Sequence, residues 1–290
     1  MNRLARFGGA SFVLPFVAAY SFLLIIPFFM GLWISLHRAD LFGARHFIGL
    51  ENYGRLFADP VFYQAMGTTF MLALMIVPAL TIITLLLALA LNRATRSAAI
   101  FRGLFFSSSV LSVTIVTLIW RFVLTPDAGL IAKVLTAVGM EPIPFLSDPD
   151  LTVPAIAITT IWWGLGLPMM LFLAGLQQIP QDIYEAAALD RSSRWTTFFR
   201  ITLPSLRRTT ILVVMLQTAA QLQIFGQAQL LTSGGPSGSS RPVVLYIYEI
   251  AFGRWELGYA IAAAEVLFIL VLALTLGQYW LSSRHEDRPA

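Results

Sequence analysis

The chain has 290 residues, 58% hydrophobic and 12% charged, with a mean hydropathy of +0.77. Soluble domains are about 45–50% apolar and about 25% charged, so composition overrides length as a guide and points to a lipid bilayer. The net charge of +4 is spread over short segments, with no basic block fit for nucleic acid, and the absence of cysteine excludes disulfides, thiolate zinc and a cysteine nucleophile.

A bilayer core of about 30 Å takes about 20 apolar helical residues. Six runs reach that length, at 13–36, 65–91, 101–123, 153–178, 209–231 and 258–283. They are too long for the alternating strands of a membrane barrel. The first follows Arg3 and Arg6, but it exceeds a signal-peptide core and has no small-x-small site before His37, so it reads as an uncleaved span. With the N-terminus inside, the inner segments hold twelve Lys and Arg and the outer segments seven. The positive-inside rule then puts both termini in the cytoplasm. The expected fold class is all-α, a polytopic membrane protein with six transmembrane helices.

Three outer segments have their own character. "IGLENYGRLFADPVFYQAM" (48–66) places aromatics and Leu at helical spacing and reads as an amphipathic interfacial segment. "LTPDAGLIAKVL" (124–135) is a weaker version. "TSGGPSGSSRP" (232–242) reads as a flexible loop.

Catalytic patterns are missing. His37, His46 and His285 fall outside the spans, no H-E-x-x-H occurs, and no P-loop sequence is present, so the chain is not expected to be an enzyme or to bind ATP itself. The acid inside a span is Glu265, in "GYAIAAAEVLFIL"; it is either functional or paired with a neighbouring helix.

Polar groups concentrate in the later spans. On one continuous helix, with Gln217 at zero, Gln221 falls at about 40°, Gln223 at about 240° and Gln227 at about 280°, a single arc that favours a wet pathway over lipid contact. Gly226 allows bending or close approach. In "WWGLGLP" (162–168), Trp162 and Trp163 point apart, and Gly164, Gly166 and Pro168 weaken the helix midway, which is tolerated where a cavity is lined. "SSSVLSVT" (107–114) makes the third span polar too. Spans three to six therefore read as the core.

Between Gln178 and Thr209 the chain leaves the membrane and returns. "PQDIYEAAAL" starts a helix at Pro180. "SSRWTTFFR" starts a second, with Ser192 or Ser193 as N-cap, and "ITLP" is expected to end it before Pro204. Ile183, Ala186, Ala187, Trp195, Phe198 and Phe199 give this projection apolar faces suited to another protein.

"EAAALDRSSRWTTFFRITLP" resembles the EAA loop of bacterial ABC importer permeases, E-A-A-x-x-x-G-x₉-I-x-L-P, at Glu185, Ala186, Ala187, Ile201, Leu203 and Pro204. "FIGLENYGRLFADPVFY" (47–63), "WRFVLTPDAGLI" (120–131), "FLSDPDLTVPAI" (145–156) and "LLTSGGPSGSSRPVVLYIYEIAF" (230–252) are similar to the carbohydrate-uptake branch, the permeases like the maltose transporter's larger subunit. The resemblance covers nearly the whole chain. It implies the type I ABC importer permease architecture in a bacterial inner membrane, with a second, similar permease, two cytoplasmic ATPase subunits holding ATP and Mg, and an extracytoplasmic solute-binding protein. This chain would bind no cofactor or metal and catalyse nothing. Glu185 would engage the ATPase cleft, Ala186 and Ala187 would permit close approach, and the glutamines with Trp163 and Glu265 would line a sugar path. The implied division is a tail (1–12), a first helix with its outer loop (13–64), a permease core (65–283) containing the coupling loop (179–208), and a second tail (284–290).

Several positions depart from the family pattern, among them Gly67 where relatives often carry Asn, and Glu265, which the family does not lead one to expect. Arg191 occupies the loop's glycine position, so either its backbone is strained or the turn is rebuilt with Asp190 capping the second helix. Ser108 stands where relatives have proline, so the third span is expected to bend less. Other readings are a permease for another solute, such as glycerol phosphate or a polyamine, a stand-alone secondary transporter, or an intramembrane enzyme.

Overall fold

The computed structural model describes residues 13–40, 43, 45–126 and 128–283. Arg3, Arg6, Asp127, Arg284, His285, Arg288 and both tails lie outside the described residues.

In chain order, helix α1 (Val13–Ser35) contains a π-turn at Ser21–Ile25. A hairpin of β1 (His37–Ala39) and β2 (Arg45–Phe47) follows. Then come α2 (Glu51–Ala58), α3 (Pro60–Leu91), α4 (Arg96–Ser108), α5 (Val113–Leu124), α6 (Leu130–Ala137), α7 (Pro149–Trp163), α8 (Gly166–Gln177) and α9 (Gln181–Leu189). The remainder is α10 (Arg194–Thr197), α11 (Leu203–Ser205), α12 (Arg207–Gln221), α13 (Gly226–Thr232), α14 (Val243–Tyr248) and α15 (Leu257–Ser283). The fold is otherwise helical, as expected; the short hairpin pairs antiparallel with His37 opposite Phe47 and Ala39 opposite Arg45.

Among the described residues, three helices are long and apolar enough to cross a membrane: Val13–Ser35, Pro60–Leu91 and Leu257–Ser282. The other three apolar runs are broken. Helices α4 and α5 bend by 97°, α7 and α8 by 49°, and α12 and α13 by 48°. The third span thus bends most, against the expectation from Ser108. Serine makes this break stable in two ways. The Ser107 and Ser108 hydroxyls donate to the Leu104 and Phe105 carbonyls at 2.7 and 2.8 Å, and Ser112 caps α5 by accepting the Ile115 amide. A helix end needs such partners, because its terminal carbonyls and amides have none within the helix.

The chain forms two compact units. One comprises the described residues up to Phe62 with Tyr246–Ile269; the other comprises Tyr63–Leu245 with the residues from Leu270 onward.

In the first unit, the Asn52 amide donates to the Ser35 and His37 carbonyls at 2.7 and 3.0 Å, tying α2 to the start of the hairpin. In the second unit, one core joins Leu72, Ile76 and Leu80 of α3 to Val153 and Ile156 of α7 and to Ala228 and Leu231 of α13. Another gathers Ala88, Met169, Phe172, Leu206 and Val213. Segment 232–242 is not a solvated loop. Ser240 is fully buried, its hydroxyl donates to the Gly235 carbonyl at 2.6 Å, and the Val243 amide donates to Thr69 of α3 at 2.8 Å.

Candidate functional site

The three breaks in the second unit meet around one cavity of about 500 Å³. Its lining includes Ser109 and Val113 from the first break, Trp163 and Gly164 from the second, and Gln217, Gln221, Gln223 and Gln227 from the third. Side chains replace the backbone bonds lost at each break. The Ser109 hydroxyl donates to the Trp163 carbonyl at 3.2 Å and accepts the Gly166 amide at 3.1 Å. The Trp163 indole N–H donates to the Leu111 carbonyl at 3.0 Å. Interrupted helices of this kind are stable within a membrane where the irregular backbone lines a cavity.

Close approach depends on two glycines. A Cβ at Gly166 would lie 2.5 Å from the Ser109 hydroxyl and 2.9 Å from the Phe106 Cα; one at Gly226 would lie 2.9 Å from Val113.

The glutamines share the cavity, but not by the route read from the sequence. Helix α12 ends at Gln221, so Gln223 lies in the break and Gln227 on the next helix. The single-helix arc is therefore wrong, and the break supplies the convergence instead. Gln221 and Gln227 are buried. The Gln221 amide donates to the Gln217 carbonyl at 3.2 Å, and that of exposed Gln223 to the Ala219 carbonyl at 3.0 Å. The Gln227 side chain bonds to no described residue, which leaves its amide free to donate and accept within the cavity. Trp162 turns away from Trp163 and meets Trp120 edge-on, centroids 5.9 Å apart. Glu265 does not line this cavity: it is buried in the first unit, its carboxyl against Gly31, where an added Cβ would lie 3.3 Å from it.

The 179–208 segment forms the expected pair of short helices. Ser193 caps the second by accepting the Thr196 amide at 3.1 Å. Asp190 instead closes α9, and Arg191 takes the left-handed conformation at φ +52°. The Arg191 amide donates to the Ala188 carbonyl and the Ser192 amide to the Ala187 carbonyl, at 3.1 and 3.0 Å. This is the Schellman closure normally made with glycine.

The second helix does not end before Pro204. A π-turn at Phe198–Thr202 leads directly into α11, with Leu203 itself helical at φ −65° and ψ −43°. Proline is tolerated in the first turn of α11, where its missing N–H leaves no bond unmade. The Tyr184 and Thr202 hydroxyls, 3.1 Å apart, tie the two helices together. Glu185, Ala186, Leu189 and Arg191 are exposed, whereas Ala187 is buried against the chain itself. Ile201 and Leu203 are half-buried, and Pro204 is exposed. Trp195 is 74% exposed and stacks on Phe199, centroids 6.0 Å apart, so the projection carries an uncovered aromatic patch.

Residues 54–286 match the family described as binding-protein-dependent transport system inner membrane component. The chain belongs to this family of transport permeases. It is 34% identical over 269 residues to the probable ABC transporter permease protein YurN of Bacillus subtilis strain 168, covering 90% of this chain and 92% of that one. It is 32% identical to the trehalose/maltose transport system permease protein MalF of Thermococcus litoralis, covering 92% and 91%, and 34% identical to the multiple sugar-binding transport system permease protein MsmF of Streptococcus mutans, covering 83% and 82%. The crystal structure of a bacterial ABC transporter that imports the acidic polysaccharide alginate has the same fold, with a TM-score of 0.85 at 23% identity over 95% of this chain and 94% of that one.

Sequence reasoning missed a polar cluster in the first unit of the permease. The Tyr246 and Tyr259 hydroxyls donate to the same Asp59 oxygen at 2.6 and 3.1 Å, and the Val61 amide donates to the other at 2.8 Å. Burial pushes the Asp59 carboxyl up, but the bonds from Tyr246, Val61 and Tyr259 outweigh it and hold the carboxyl below its usual range. Three residues spaced this far apart in sequence left no local signal.

Proposed function

We propose that this permease is a membrane subunit of an ATP-driven importer of a sugar or oligosaccharide. Six spans, counting each bent pair as one, and cytoplasmic termini fit the charge distribution and the helices. In this reading 13–64 forms a first helix with its outer loop, and 65–283 the permease core, between short cytoplasmic tails. A second, similar permease completes the path. Two cytoplasmic ATPase subunits, holding ATP and Mg, grip the 179–208 loop, and an extracytoplasmic solute-binding protein delivers the solute.

The observation that carries this reading is the convergence of three helix breaks on a cavity lined by four glutamines and Trp163. Amides match sugar hydroxyls, since both donate and accept, and the half-buried Trp163 ring supplies a flat apolar wall. The exposed aromatic patch on the loop that carries Glu185 supports docking of the loop into another protein. Closure of the ATPase pair would then move the loop and bias the cavity between outward and inward access.

The test is uptake by the assembled importer. Gln227→Ala should weaken sugar uptake about ten-fold while the complex still assembles, because one or two amide–hydroxyl bonds are each worth about 1 kcal/mol. Glu185→Ala should leave insertion intact and reduce ATP-coupled uptake. Uptake by the chain alone, driven by an ion gradient, would refute the reading.

A further inference from the structure

The first unit has its own cavity, also of about 500 Å³, within the size range of small-molecule sites. Its lining includes Arg38, Asp40, Glu51, Arg55, Arg254, Trp255 and Glu256. Nothing in the proposed path through the second unit uses it.

Two features mark it as a built site. The first is its charge pattern. Arg38 pairs with Glu51 at 2.8 Å, and Arg55 pairs with Glu256 while lying 4.2 Å over the Tyr259 ring. The charged walls are thus braced in place. Arg254 forms no ion pair with any described residue. Three arginines balance three acids, so neither an anion nor a cation meets a uniformly favourable wall. A hydroxyl does, because it accepts from guanidinium and donates to carboxylate.

The second feature is Trp255. It sits at φ +61°, in the turn closed by the Glu256 amide on the Ile250 carbonyl at 3.2 Å. A bulky residue in that conformation is strained, and such strain collects at functional positions. Its indole is half exposed although it lines the cavity, giving a flat face beside alternating donors and acceptors.

From this geometry we propose that the first-unit cavity binds a neutral sugar ring, stacked on Trp255 and held by the alternating arginine and carboxylate groups. It rests on the sugar-import reading for the class of solute. In the orientation proposed above, Arg38, Arg55 and Arg254 of its lining belong to outer segments, on the side from which the sugar arrives.

The experiment uses the full chain in lipid nanodiscs and saturation-transfer NMR. The probes are glucose, lactose, maltose, trehalose, glucuronate and glycerophosphoethanolamine. Saturation should reach at least one neutral sugar. Trp255→Gly should reduce that signal about five-fold or more, the worth of one aromatic contact, and glycine suits the positive φ of the turn. Arg254→Ala should weaken it too, and both losses should persist in a Gln227→Ala background, which removes the glutamine cavity's share of the signal.

A signal unchanged by Trp255→Gly and Arg254→Ala overturns the proposal. So does transfer to glucuronate alone, which marks an anion site, or to glycerophosphoethanolamine alone, which marks a lipid headgroup. Loss of the whole signal in Gln227→Ala alone places the sugar in the second unit and removes this site while leaving sugar import standing. No transfer to any neutral sugar overturns this site, and uptake by the assembled importer then judges the import reading separately.

Discussion

The Gly166 amide donates to the Ser109 hydroxyl at 3.1 Å, so the break in one apolar run is fastened to the break in another. The same hydroxyl donates to the Trp163 carbonyl. Ser109→Ala leaves both backbone groups without these partners and should cost about 1–3 kcal/mol. Gly166→Ala should cost a similar ~1–3 kcal/mol by overpacking, because its Cβ would press on that hydroxyl and on the Phe106 backbone. The two changes share an atom, so the double variant should melt above the additive expectation. Thermal unfolding of the four proteins in detergent checks this.

Arg191 takes the role glycine has in the family's loop, in left-handed backbone. Arg191→Gly should stabilise the turn by about 1 kcal/mol. The Ser192 amide, which closes the turn onto Ala187, should then exchange with solvent about five-fold more slowly where that turn opens locally, as hydrogen exchange would report. An unchanged or faster rate would mean that the arginine side chain compensates for its backbone.

Tyr184 and Thr202 join the two helices of the same loop through their hydroxyls. Tyr184→Phe removes one bond, worth about 1 kcal/mol, and leaves the exposed aromatic patch intact. In the assembled importer it should raise the number of ATP molecules hydrolysed per solute imported, with assembly unaffected. Parallel ATPase and uptake measurements give that ratio.

What could be read from the sequence divides along physical lines. The uninterrupted spans were legible because length and apolarity are local properties, and α1, α3 and α15 lie close to their expected runs. Trp163 and the glutamines were found for a sound reason, since polar amides in a lipid-spanning run need an explanation. Their arrangement was misread because periodicity assumes one straight helix, and no residue between Gln221 and Gly226 announces the break. The hydroxyl-rich segment at 107–114 reads as polar, yet its serines turn the chain by capping rather than by a proline kink. Pro204 misled in the opposite direction, because a preceding π-turn lets the helix continue. The first-unit cavity and the Asp59 cluster depend on residues about 200 positions apart, as in the Arg55–Glu256 and Asp59–Tyr259 contacts, and no pattern in one sequence joins them.

The Asp59 cluster gives stability a definite pH dependence. Its carboxyl is held below the ordinary 3.8, chiefly because the bonds from Tyr246, Val61 and Tyr259 outweigh burial. In the unfolded chain the group takes up its proton first as pH falls, so the unfolded state is favoured by acid. The contribution is therefore complete above about pH 5, begins to decline near 3.8, and is gone once pH passes below the folded carboxyl's own value. Tyr246 remains the donor throughout, because burial and the neighbouring Asp59 hold its phenol far above its usual range. Asp59→Asn should lower the melting temperature at pH 7 and narrow the gap to the wild type as pH falls towards 3. Tyr246→Phe should move the carboxyl back towards 3.8 and so reduce the stability lost as pH falls, with the onset left in place. Melting curves of the three proteins in nanodiscs between pH 7 and 3 decide it, and parallel acid profiles for wild type and Asp59→Asn would remove Asp59 from the account of acid stability.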